Sequence, residues 1–290
     1  MAKNNITRLA RAKINLDLLI TGRREDGYHL LDSLVVFADI GDQISVRPSD
    51  KLSLNISGPF APALSGEQDN IILRAARGLR DKFNIQQAAE IDLVKNLPVS
   101  SGIGGGSADA AAVMMALMAL WQLSDKETEL NDLALSLGAD VPVCLASKTM
   151  QMSGVGEILR PVTINFPMFL LLVNPGVSLS TAEIFKTRAK REVDFSQSRT
   201  LPDTITNLTE LTDIIGESGN DLEYDACAAR PEIRKLLAHI KQVDDCIFTG
   251  MSGSGATCFG IFPAYGAAKA AANDIFRHFP HWWACPVQVR

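Results

Sequence analysis

The chain has 290 residues, of which 47% are hydrophobic, 21% charged and 6% aromatic. This composition excludes a mostly disordered chain and a fibrous repeat, and the length allows a large core in two domains or one large domain. The formal net charge of −5 argues against a global electrostatic grip on nucleic acid.

The sequence indicates a chain of the cytoplasm that does not cross a membrane. Its longest apolar stretch, residues 110–120, is too short to span a bilayer and is typical of a buried helix. The first eight residues contain no apolar segment of the kind that secretory signals have. The cysteines are odd in number and widely spaced, which favours a reducing compartment over a disulfide framework or a zinc site. They are Cys144, Cys227, Cys246, Cys258 and Cys285.

Short strands and one capped helix are predicted in the first hundred residues. Alternating apolar and polar residues predict extended chain over 6–20, followed by a polar, glycine-bounded turn at 21–27. Asp69 and Asn70 are expected to cap a helix whose apolar residues recur at helical spacing as far as Phe83. Strands are predicted at residues 35–37, 43–46, 52–56 and 90–94.

Helices alternate with strands in the remainder of the chain, which predicts an α+β layer. The continuous apolar run at 168–173 indicates a central strand, and Ser180 with Glu183 resembles a capping box. The polar stretch 192–206 is expected to contain or follow a domain boundary. Helices are predicted at residues 108–123, 127–137, 180–190, 205–215, 231–241 and 265–279. Strands are predicted at residues 149–152, 246–249, 257–262 and 286–289.

The most informative segment is residues 98–108, Pro-Val-Ser-Ser-Gly-Ile-Gly-Gly-Gly-Ser-Ala. Glycines let backbone N–H groups turn inward, and the helix that follows adds unpaired N–H groups and a positive dipole end. Together they predict an anion cradle for a nucleoside triphosphate, with Ser107 able to reach a phosphate or its Mg²⁺. A Walker A loop is excluded because no lysine follows the last glycine, and the register does not fit a Rossmann fingerprint. A glycine-rich turn that packs a helix against a sheet is the alternative.

Three further groups of residues have both a functional and a structural interpretation. A second glycine-rich loop, residues 250–257, either approaches the first loop or forms a tight hairpin. Asp140, in the segment Gly-Ala-Asp-Val-Pro, is either a cap or turn former or a functional carboxylate. Lys13 and Asn15 share one face of a strand that either lines a cleft or faces solvent.

Aromatic, basic and histidine side chains leave similar alternatives open. Tyr28 and His29 end the polar turn, where they either recognise a ring or form a surface pair. The basic run at 186–191 is typical of a solvated face. The remaining histidines, His239, His278 and His281, have no partner at metal-ligand spacing in the sequence.

Taken together, residues 98–108, Lys13, Asp140 and residues 250–257 resemble the three motifs of the GHMP kinase superfamily. These are small-molecule kinases related to galactokinase, homoserine kinase and mevalonate kinase. A wider set resembles more closely a branch whose substrate carries a cytidine diphosphate group. That set comprises residues 12–16, 27–29, 69–70, 137–142, 154–157 and 174–186, in the family's order.

The resemblance implies an α+β, two-domain GHMP-kinase fold. The N-terminal domain, residues 1–160, is of the ribosomal-protein-S5-domain-2-like α/β type, and the C-terminal domain, residues 161–290, is ferredoxin-like α+β. It also implies ATP and Mg²⁺ as cofactors, with ATP between the domains. The implied reaction transfers the γ-phosphoryl group to the 2-hydroxyl of a cytidylyl methylerythritol in the non-mevalonate isoprenoid pathway. The implied partner is this small molecule, and not a nucleic acid or a membrane.

The resemblance also implies roles for individual residues. Asp140 takes or orients the hydroxyl proton, and Lys13 keeps Asp140 charged and stabilises developing charge. The substrate residues are Tyr28 and Phe185, which sandwich the cytosine, His29, which reads its edge, and Asn15 and Thr181 near the methylerythritol diphosphate. The nucleotide residues are Asn70, Lys95, Pro98, Val99, Ser100, Ser101, Gly102, Ile103, Gly104, Gly105, Gly106, Ser107 and Ala108, with Ser107 the candidate metal ligand.

Two other hypotheses remain open. In the first, the chain is another GHMP kinase that acts on homoserine, mevalonate or a sugar. Such substrates carry no base for Tyr28, His29 and Phe185 to recognise. Alternatively, it is a nucleotide- or RNA-binding protein without catalysis, which rests on fold-level analogy alone. The Lys13–Asp140 pair and the acidic net charge argue against the second hypothesis.

Overall fold

A computed structural model of the protein describes residues 5–66, 69–191 and 193–290. The sequence-based expectations for the first four residues and for Glu192 lie outside these residues. The chain forms two compact units. Unit 1 contains the chain as far as Ala12, Ile40–Val99 and Gly104–Ser147, and unit 2 contains Lys13–Asp39, Ser100–Ile103 and Lys148–Arg290.

Thirteen strands and nine helices of the α type are found among the described residues. The strands are β1 (Ile6–Asn15), β2 (Leu19–Arg23), β3 (His29–Ser49), β4 (Ser53–Ser57), β5 (Ala88–Val94), β6 (Met150–Gly154), β7 (Ile158–Pro161), β8 (Thr163–Ile164), β9 (Phe169–Asn174), β10 (Thr204–Ile205), β11 (Phe248–Met251), β12 (Cys258–Phe262) and β13 (Trp283–Gln288). The helices are α1 (Ile71–Phe83), α2 (Gly105–Leu120), α3 (Asn131–Leu137), α4 (Val141–Ala146), α5 (Thr181–Lys190), α6 (Leu208–Ser218), α7 (Glu223–Ala229), α8 (Pro231–Gln242) and α9 (Tyr265–His278).

Unit 1 packs helices against a short mixed sheet. Strand β4 pairs in parallel with β5, and β5 pairs antiparallel with residues 43–49 of β3. Helix α2 is apolar on all sides and buried from Ala108 to Met114, and it packs against α1 and α4. The predicted cap of α1 is confirmed, because the Asn70 side chain accepts a hydrogen bond from the backbone N–H of Ile72.

Unit 2 contains a four-stranded antiparallel sheet in the order β11-β12-β9-β13. The prediction of a central strand is confirmed, since β9 lies between β12 and β13 and its residues 170–174 are buried. Helices α8 and α9 pack on this sheet. In the same unit, β2 pairs with residues 29–32 of β3, and β6 pairs with residues 31–35 of β3.

The units do not follow one another along the chain, because β1 and β3 each supply residues to both of them. Residues 13–39 belong to unit 2 because the first part of β3 is hydrogen-bonded to β2 and β6. The polar stretch 193–206 also lies within unit 2, where the Arg199 guanidinium pairs with the buried carboxylates of Asp17 and Asp32. The division into domains 1–160 and 161–290 stays a prediction.

Several element boundaries differ from the predictions. Helix α2 begins at Gly105 and not at Ala108, and the predicted helix 127–137 is a 3₁₀ segment at Ser124–Leu130 followed by α3. Helices α4 and α7 were not predicted. The two predicted strands at 35–37 and 43–46 are parts of the single strand β3.

Gly41 lies within β3 at a point of close contact with β1. A Cβ atom on Gly41 would lie 2.2 Å from the backbone oxygen of Ala10, so this glycine allows β1 to approach β3 closely. A glycine that reads as a strand break in the sequence is therefore a point of close backbone contact.

Among the described residues, no helix has both the length and the apolar character needed to span a membrane.

Candidate active site

The first glycine-rich loop is anchored in unit 2 by its own backbone. The carbonyl of Ser101 accepts a hydrogen bond from the N–H of Thr257 at 3.0 Å, and the carbonyl of Gly102 accepts one from the Ser252 hydroxyl at 2.9 Å. The carbonyl of Ile103 accepts a hydrogen bond from the N–H of Lys13 at 3.0 Å. The expected approach of loop 250–257 to the first loop is confirmed for residues 101–102, which bond to its Ser252 and Thr257.

Gly102 is required at its position by both conformation and space. Its φ is +77°, which favours glycine, and a Cβ atom would lie 2.4 Å from the backbone oxygen of Ser252 and 2.7 Å from that of Gly255. Because both neighbours are backbone atoms, neither can rotate away. The two loops are thus in backbone contact at Gly102.

Helix α2 begins in unit 1 with an N-terminus that suits an anion. Gly104 is the N-cap residue with a φ of +63°, and as a glycine it makes no side-chain capping bond to the first turn. Gly105 and Gly106 occupy the first two helical positions, and Gly106 is exposed. Their N–H groups have no partner within a helix and lie at the positive end of the dipole. This arrangement is the one in which protein backbones bind phosphate groups.

A buried cluster of three charges lies beneath this helix start. The Lys95 ammonium is 2.6 Å from a carboxylate oxygen of Asp42 and 2.6 Å from one of Asp109, and all three side chains are at most 4% exposed. A Cβ atom on Gly105 would lie 3.3 Å from Nζ of Lys95. Asp42 also accepts hydrogen bonds from the N–H groups of Asn96 and Leu97. The cluster therefore links the end of β5 to the first turns of α2.

Burial and charge act in opposite directions on this cluster. Burial raises the pKa of Asp109, and the Lys95 ammonium offsets only part of that rise. Burial by itself lowers the pKa of Lys95, but the two carboxylates outweigh it and the pKa is raised. Sequence reasoning singled out Lys95 but missed Asp42 and Asp109. The available signal is Asp109 itself, a carboxylate within the otherwise apolar helix α2.

Asp140 occupies the N-cap position of α4 in unit 1 and is half-buried. Its side chain makes no capping hydrogen bond to that helix, and residues 139–140 form a turn, so the structural interpretation is confirmed for a turn former and not for a side-chain cap. The hydroxyl of Ser107 lies 3.9 Å from the position that a Cβ atom on Gly138 would take. The structure therefore places Ser107 of α2 beside the segment that leads to Asp140.

Lys13 and Asn15 are both buried in unit 2, so the alternative of a solvated strand face is wrong. The Lys13 ammonium donates a hydrogen bond of 2.8 Å to the side-chain oxygen of Asn15. The Asn15 side-chain amide donates to the hydroxyl of Ser33, and its backbone N–H donates to the hydroxyl of Ser252. Burying an ammonium and an amide is costly unless they are hydrogen-bonded, which explains this network. The Ser252 hydroxyl is therefore hydrogen-bonded to the backbone of both Asn15 and Gly102.

Thr181 lies at the start of α5, and its hydroxyl is 2.7 Å from that of Ser254 in the second glycine-rich loop. Ser180 is confirmed as the N-cap of α5, since its hydroxyl accepts a hydrogen bond from the N–H of Glu183. The same loop is bonded to β9 through the Asn174 amide, which donates to the Thr257 hydroxyl. Two serines of the second loop, Ser252 and Ser254, are therefore hydrogen-bonded to the substrate-side candidates Asn15 and Thr181.

Two of the candidates for recognising a base, His29 and Phe185, pack against each other in unit 2. The rings of His29 and Phe185 have centroids 5.1 Å apart and are tilted by 33°, and Tyr28 is 63% exposed. Burial lowers the pKa of His29, and the cations of Arg23 and Arg188 lower it further. A neutral imidazole offers one donor and one acceptor, which suits the polar edge of a base. The ring that packs beside Phe185 is thus that of His29.

The basic run has a structural function in part. Arg188 is buried and donates hydrogen bonds to the carbonyls of Val193 and Asp194, and Arg191 is paired with Asp225 at 3.0 Å. The interpretation as a solvated face is therefore confirmed for Lys186, Lys190 and Arg191, which are exposed, and wrong for Arg188.

The comparisons with known proteins agree with these features. The model of the GHMP kinases N terminal domain matches residues 70–148, and that of the GHMP kinases C terminal matches residues 205–281. The first match contains the start of α2, Asp140, and Lys95 and Asp109 of the buried cluster. The fold and the glycine-rich helix start therefore define a GHMP kinase, and the α+β fold class expected from the resemblance is confirmed.

Full-length relatives narrow the family. A 4-diphosphocytidyl-2-C-methyl-D-erythritol kinase of Cereibacter sphaeroides is 48% identical, over 97% of this chain and 98% of its own length. One of Parvibaculum lavamentivorans is 46% identical, over 96% of each chain. A crystal structure of 4-(cytidine 5'-diphospho)-2C-methyl-D-erythritol kinase is 31% identical with a TM-score of 0.77, covering 98% of each chain. The chain belongs to the family of 4-diphosphocytidyl-2-C-methyl-D-erythritol kinases.

Proposed function

We propose that this enzyme transfers the γ-phosphoryl group of ATP to the 2-hydroxyl of 4-diphosphocytidyl-2-C-methyl-D-erythritol, a step of the non-mevalonate isoprenoid pathway. The observation that carries the proposal is 48% identity to a kinase of that name over 97% of the chain. The geometry that supports it is the ring pair of His29 and Phe185 beside exposed Tyr28, since a base is what distinguishes this substrate from homoserine, mevalonate and galactose.

The triphosphate of ATP binds to residues 98–108. The support is the uncapped, glycine-lined start of α2, whose N–H groups suit phosphate oxygens. Asn70 and Lys95 act on the nucleotide side, Asn70 at the start of α1 and Lys95 beneath Gly105. Mg²⁺ takes oxygen ligands, and the half-buried hydroxyl of Ser107, beside the segment that leads to Asp140, fits that preference. When bound with ATP, the ion neutralises charge on the phosphate oxygens.

Asp140 accepts or orients the proton of the substrate hydroxyl, and Lys13 stabilises the charge that develops during transfer. Phosphoryl transfer requires positioning and charge stabilisation more than covalent chemistry from the protein. These two roles are supported by the family resemblance of the segments that contain the residues. The Asn15–Ser33 bond supports the role of Lys13 by holding the Asn15 side-chain amide, whose oxygen accepts a hydrogen bond from the Lys13 ammonium.

Tyr28 and Phe185 stack on the cytosine, and the neutral His29 reads its polar edge. Stacking of a base on an aromatic ring contributes about 1–3 kcal/mol. Asn15 and Thr181 lie toward the methylerythritol diphosphate. The substrate is a free small molecule, neither a nucleic acid nor a membrane lipid, and the enzyme acts in the cytoplasm. The odd number and wide spacing of the cysteines support a reducing compartment.

The reaction is tested by ADP release in the presence of ATP and Mg²⁺. The acceptors compared are 4-diphosphocytidyl-2-C-methyl-D-erythritol, mevalonate, homoserine and galactose. ADP release with the first acceptor alone is expected. ADP release with another acceptor would support a kinase but contradict the role of Tyr28, His29 and Phe185 in binding a base. ATP binding without ADP release for any acceptor would favour the non-catalytic hypothesis.

Two variants test the assigned roles. Asp140→Asn is expected to bind ATP and to lose turnover. Asp132→Asn is the control and is expected to keep turnover, because Asp132 is an exposed residue of the same unit. Tyr28→Ala is expected to raise KM for the cytidylyl substrate more than KM for ATP. Tyr224→Ala is the matched control, because Tyr224 is also 63% exposed. Full turnover of Asp140→Asn, or equal KM effects of the two tyrosine variants, contradicts these roles.

A further inference from the structure

A cluster of metal-ligating side chains lies on α8 and α9 in unit 2, among residues to which the kinase reaction assigns no role. His239, Asp274 and His278 each offer one ligand atom, and these atoms all lie within 4.8 Å of one another. Sequence reasoning found no partner for either histidine. The signal that it missed is the i, i+4 spacing of Asp274 and His278, which places both on one face of α9.

The distances show that Asp274 is the centre of the cluster. Its carboxylate is 2.8 Å from Nε2 of His239 and 3.4 Å from Nδ1 of His278, and the two imidazole rings have centroids 5.1 Å apart. The His239 ring is also held edge-on against Phe279, at a centroid distance of 4.9 Å. The His239 side chain is therefore held on two sides, by a carboxylate and by an aromatic ring.

The electrostatic surroundings favour a cation. His239 lies in the last turn of α8, and His278 lies in the last turn of α9, so two negative helix-dipole ends meet at the cluster. A cleft of about 510 Å³ borders His239 and Asp274, and Asp244 and Asp245 also line it. Arg277 is the opposing charge, 3.3 Å from Asp274, but its side chain is 73% exposed and can turn into solvent.

We propose that His239, Asp274 and His278 bind a divalent transition-metal ion of the Zn²⁺ class. Two imidazole nitrogens and one carboxylate oxygen are ligands that Zn²⁺ accepts, whereas Mg²⁺ and Ca²⁺ prefer oxygen ligands alone. His278 is 56% exposed, so its ring can adjust to the shorter metal–nitrogen distance. The bound ion joins the end of α8 to the end of α9 and stabilises unit 2, and it is independent of the Mg²⁺ that accompanies ATP.

The test uses the full chain without a histidine tag, stripped of metal by a chelator that is then removed. Isothermal titration with Zn²⁺ alone is expected to give one site per chain. His239→Ala and His278→Ala are each expected to weaken binding by at least about tenfold. His281→Ala, which removes a histidine just beyond α9, is the matched control and keeps the affinity. Thermal unfolding is expected to shift upward with Zn²⁺ in the unaltered protein and in His281→Ala, but not in the other two variants.

Co²⁺ provides an independent readout, since its visible spectrum reports nitrogen and oxygen ligands without a thiolate contribution. Cys246→Ser is expected to leave that spectrum unchanged. All variants should retain kinase activity, and His239→Gln replaces His239→Ala if the alanine variant does not fold. Absence of Zn²⁺ binding, binding that survives loss of His239, or equal loss in His281→Ala would each overturn the proposal.

Discussion

Replacing Lys95 with methionine tests the buried cluster that anchors the start of α2. The Lys95 ammonium is bonded to the carboxylates of Asp42 and Asp109, each at 2.6 Å. Methionine has a similar length and preserves most of the apolar packing, so the change removes the charge. Two buried carboxylates then face each other without a counterion.

The expected loss in the free energy of unfolding is about 3–5 kcal/mol, the range found when one partner of a buried ion pair is removed. Arg77→Met is the matched control. Arg77 is 3.9 Å from Asp69, and both side chains are more than half exposed. Exposed pairs contribute about 0–1 kcal/mol, so the control variant is expected to unfold close to the unaltered protein.

The pH dependence separates charge from packing. Without the ammonium, burial raises the pKa of Asp109 even further above its unfolded value. A carboxyl group with a raised pKa binds more protons in the folded state, so its contribution to stability is present at low pH and is lost as pH rises. The loss caused by Lys95→Met is therefore expected to be smaller at pH 5 than at pH 8.

The assay is urea-induced unfolding of the unaltered protein, Lys95→Met, Arg77→Met and the double variant Lys95→Met/Asp109→Asn at both pH values. The double variant is expected to recover part of the loss at pH 8, because it removes one of the unpaired charges. An equal loss at pH 5 and pH 8, without recovery in the double variant, would refute the electrostatic reasoning and assign the effect to packing.

Three further predictions concern a loop glycine, a helix cap and a buried carboxyl. Gly102→Ala is expected to lower the free energy of unfolding by about 2–5 kcal/mol, because of the left-handed φ and the backbone clash. Gly266→Ala, where a Cβ meets nothing within 4 Å, should stabilise α9 slightly. Equal urea midpoints for the two variants would contradict this. Asn70→Ala should lower the free energy of unfolding by about 1 kcal/mol, and Asn70→Ser, which keeps a capping oxygen, should lower it less. If KM for ATP rises in both variants, the Asn70 amide itself contacts the nucleotide. Burial raises the pKa of Asp17 from 3.8 to about 6, so its contribution to stability is full below pH 4 and is lost as pH rises through 6. The stability difference between the unaltered protein and Asp17→Asn should therefore shrink by up to about 3 kcal/mol between pH 4 and pH 6.5, and a difference that stays constant would show that this carboxyl does not titrate in that range.

Local interactions explain why some elements could be predicted from the sequence. Asn70 caps α1 through a residue two positions away, and the Ser180 hydroxyl bonds a residue three positions away. The apolar run of β9 identifies a central strand because both of its faces must be covered. Three consecutive glycines predict an anion-binding backbone, and they occupy the N-cap and the first two positions of α2.

The exact start of α2 depends on tertiary structure. Gly105 and Gly106 are poor helix formers, each unfavourable by about 1 kcal/mol relative to alanine, so propensity alone delays the helix to Ala108. In the folded chain, the Lys95 ammonium lies directly beneath Gly105, and Asp109 is bonded to that ammonium. Long-range anchoring thus outweighs the local preference.

From the sequence alone came the class of fold, the capped helices, the glycine-rich loop before α2 and the residues that resemble a kinase site. The tertiary structure decided which charges are neutralised and by what. Lys95 is bonded to Asp42, at a separation of 53 positions in the sequence. Arg199 is bonded to Asp17 at a separation of 182 positions, and His239 to Asp274 at a separation of 35. A sequence pattern reports interactions between near neighbours, whereas a buried charge must be paired with whatever the fold brings within hydrogen-bond distance.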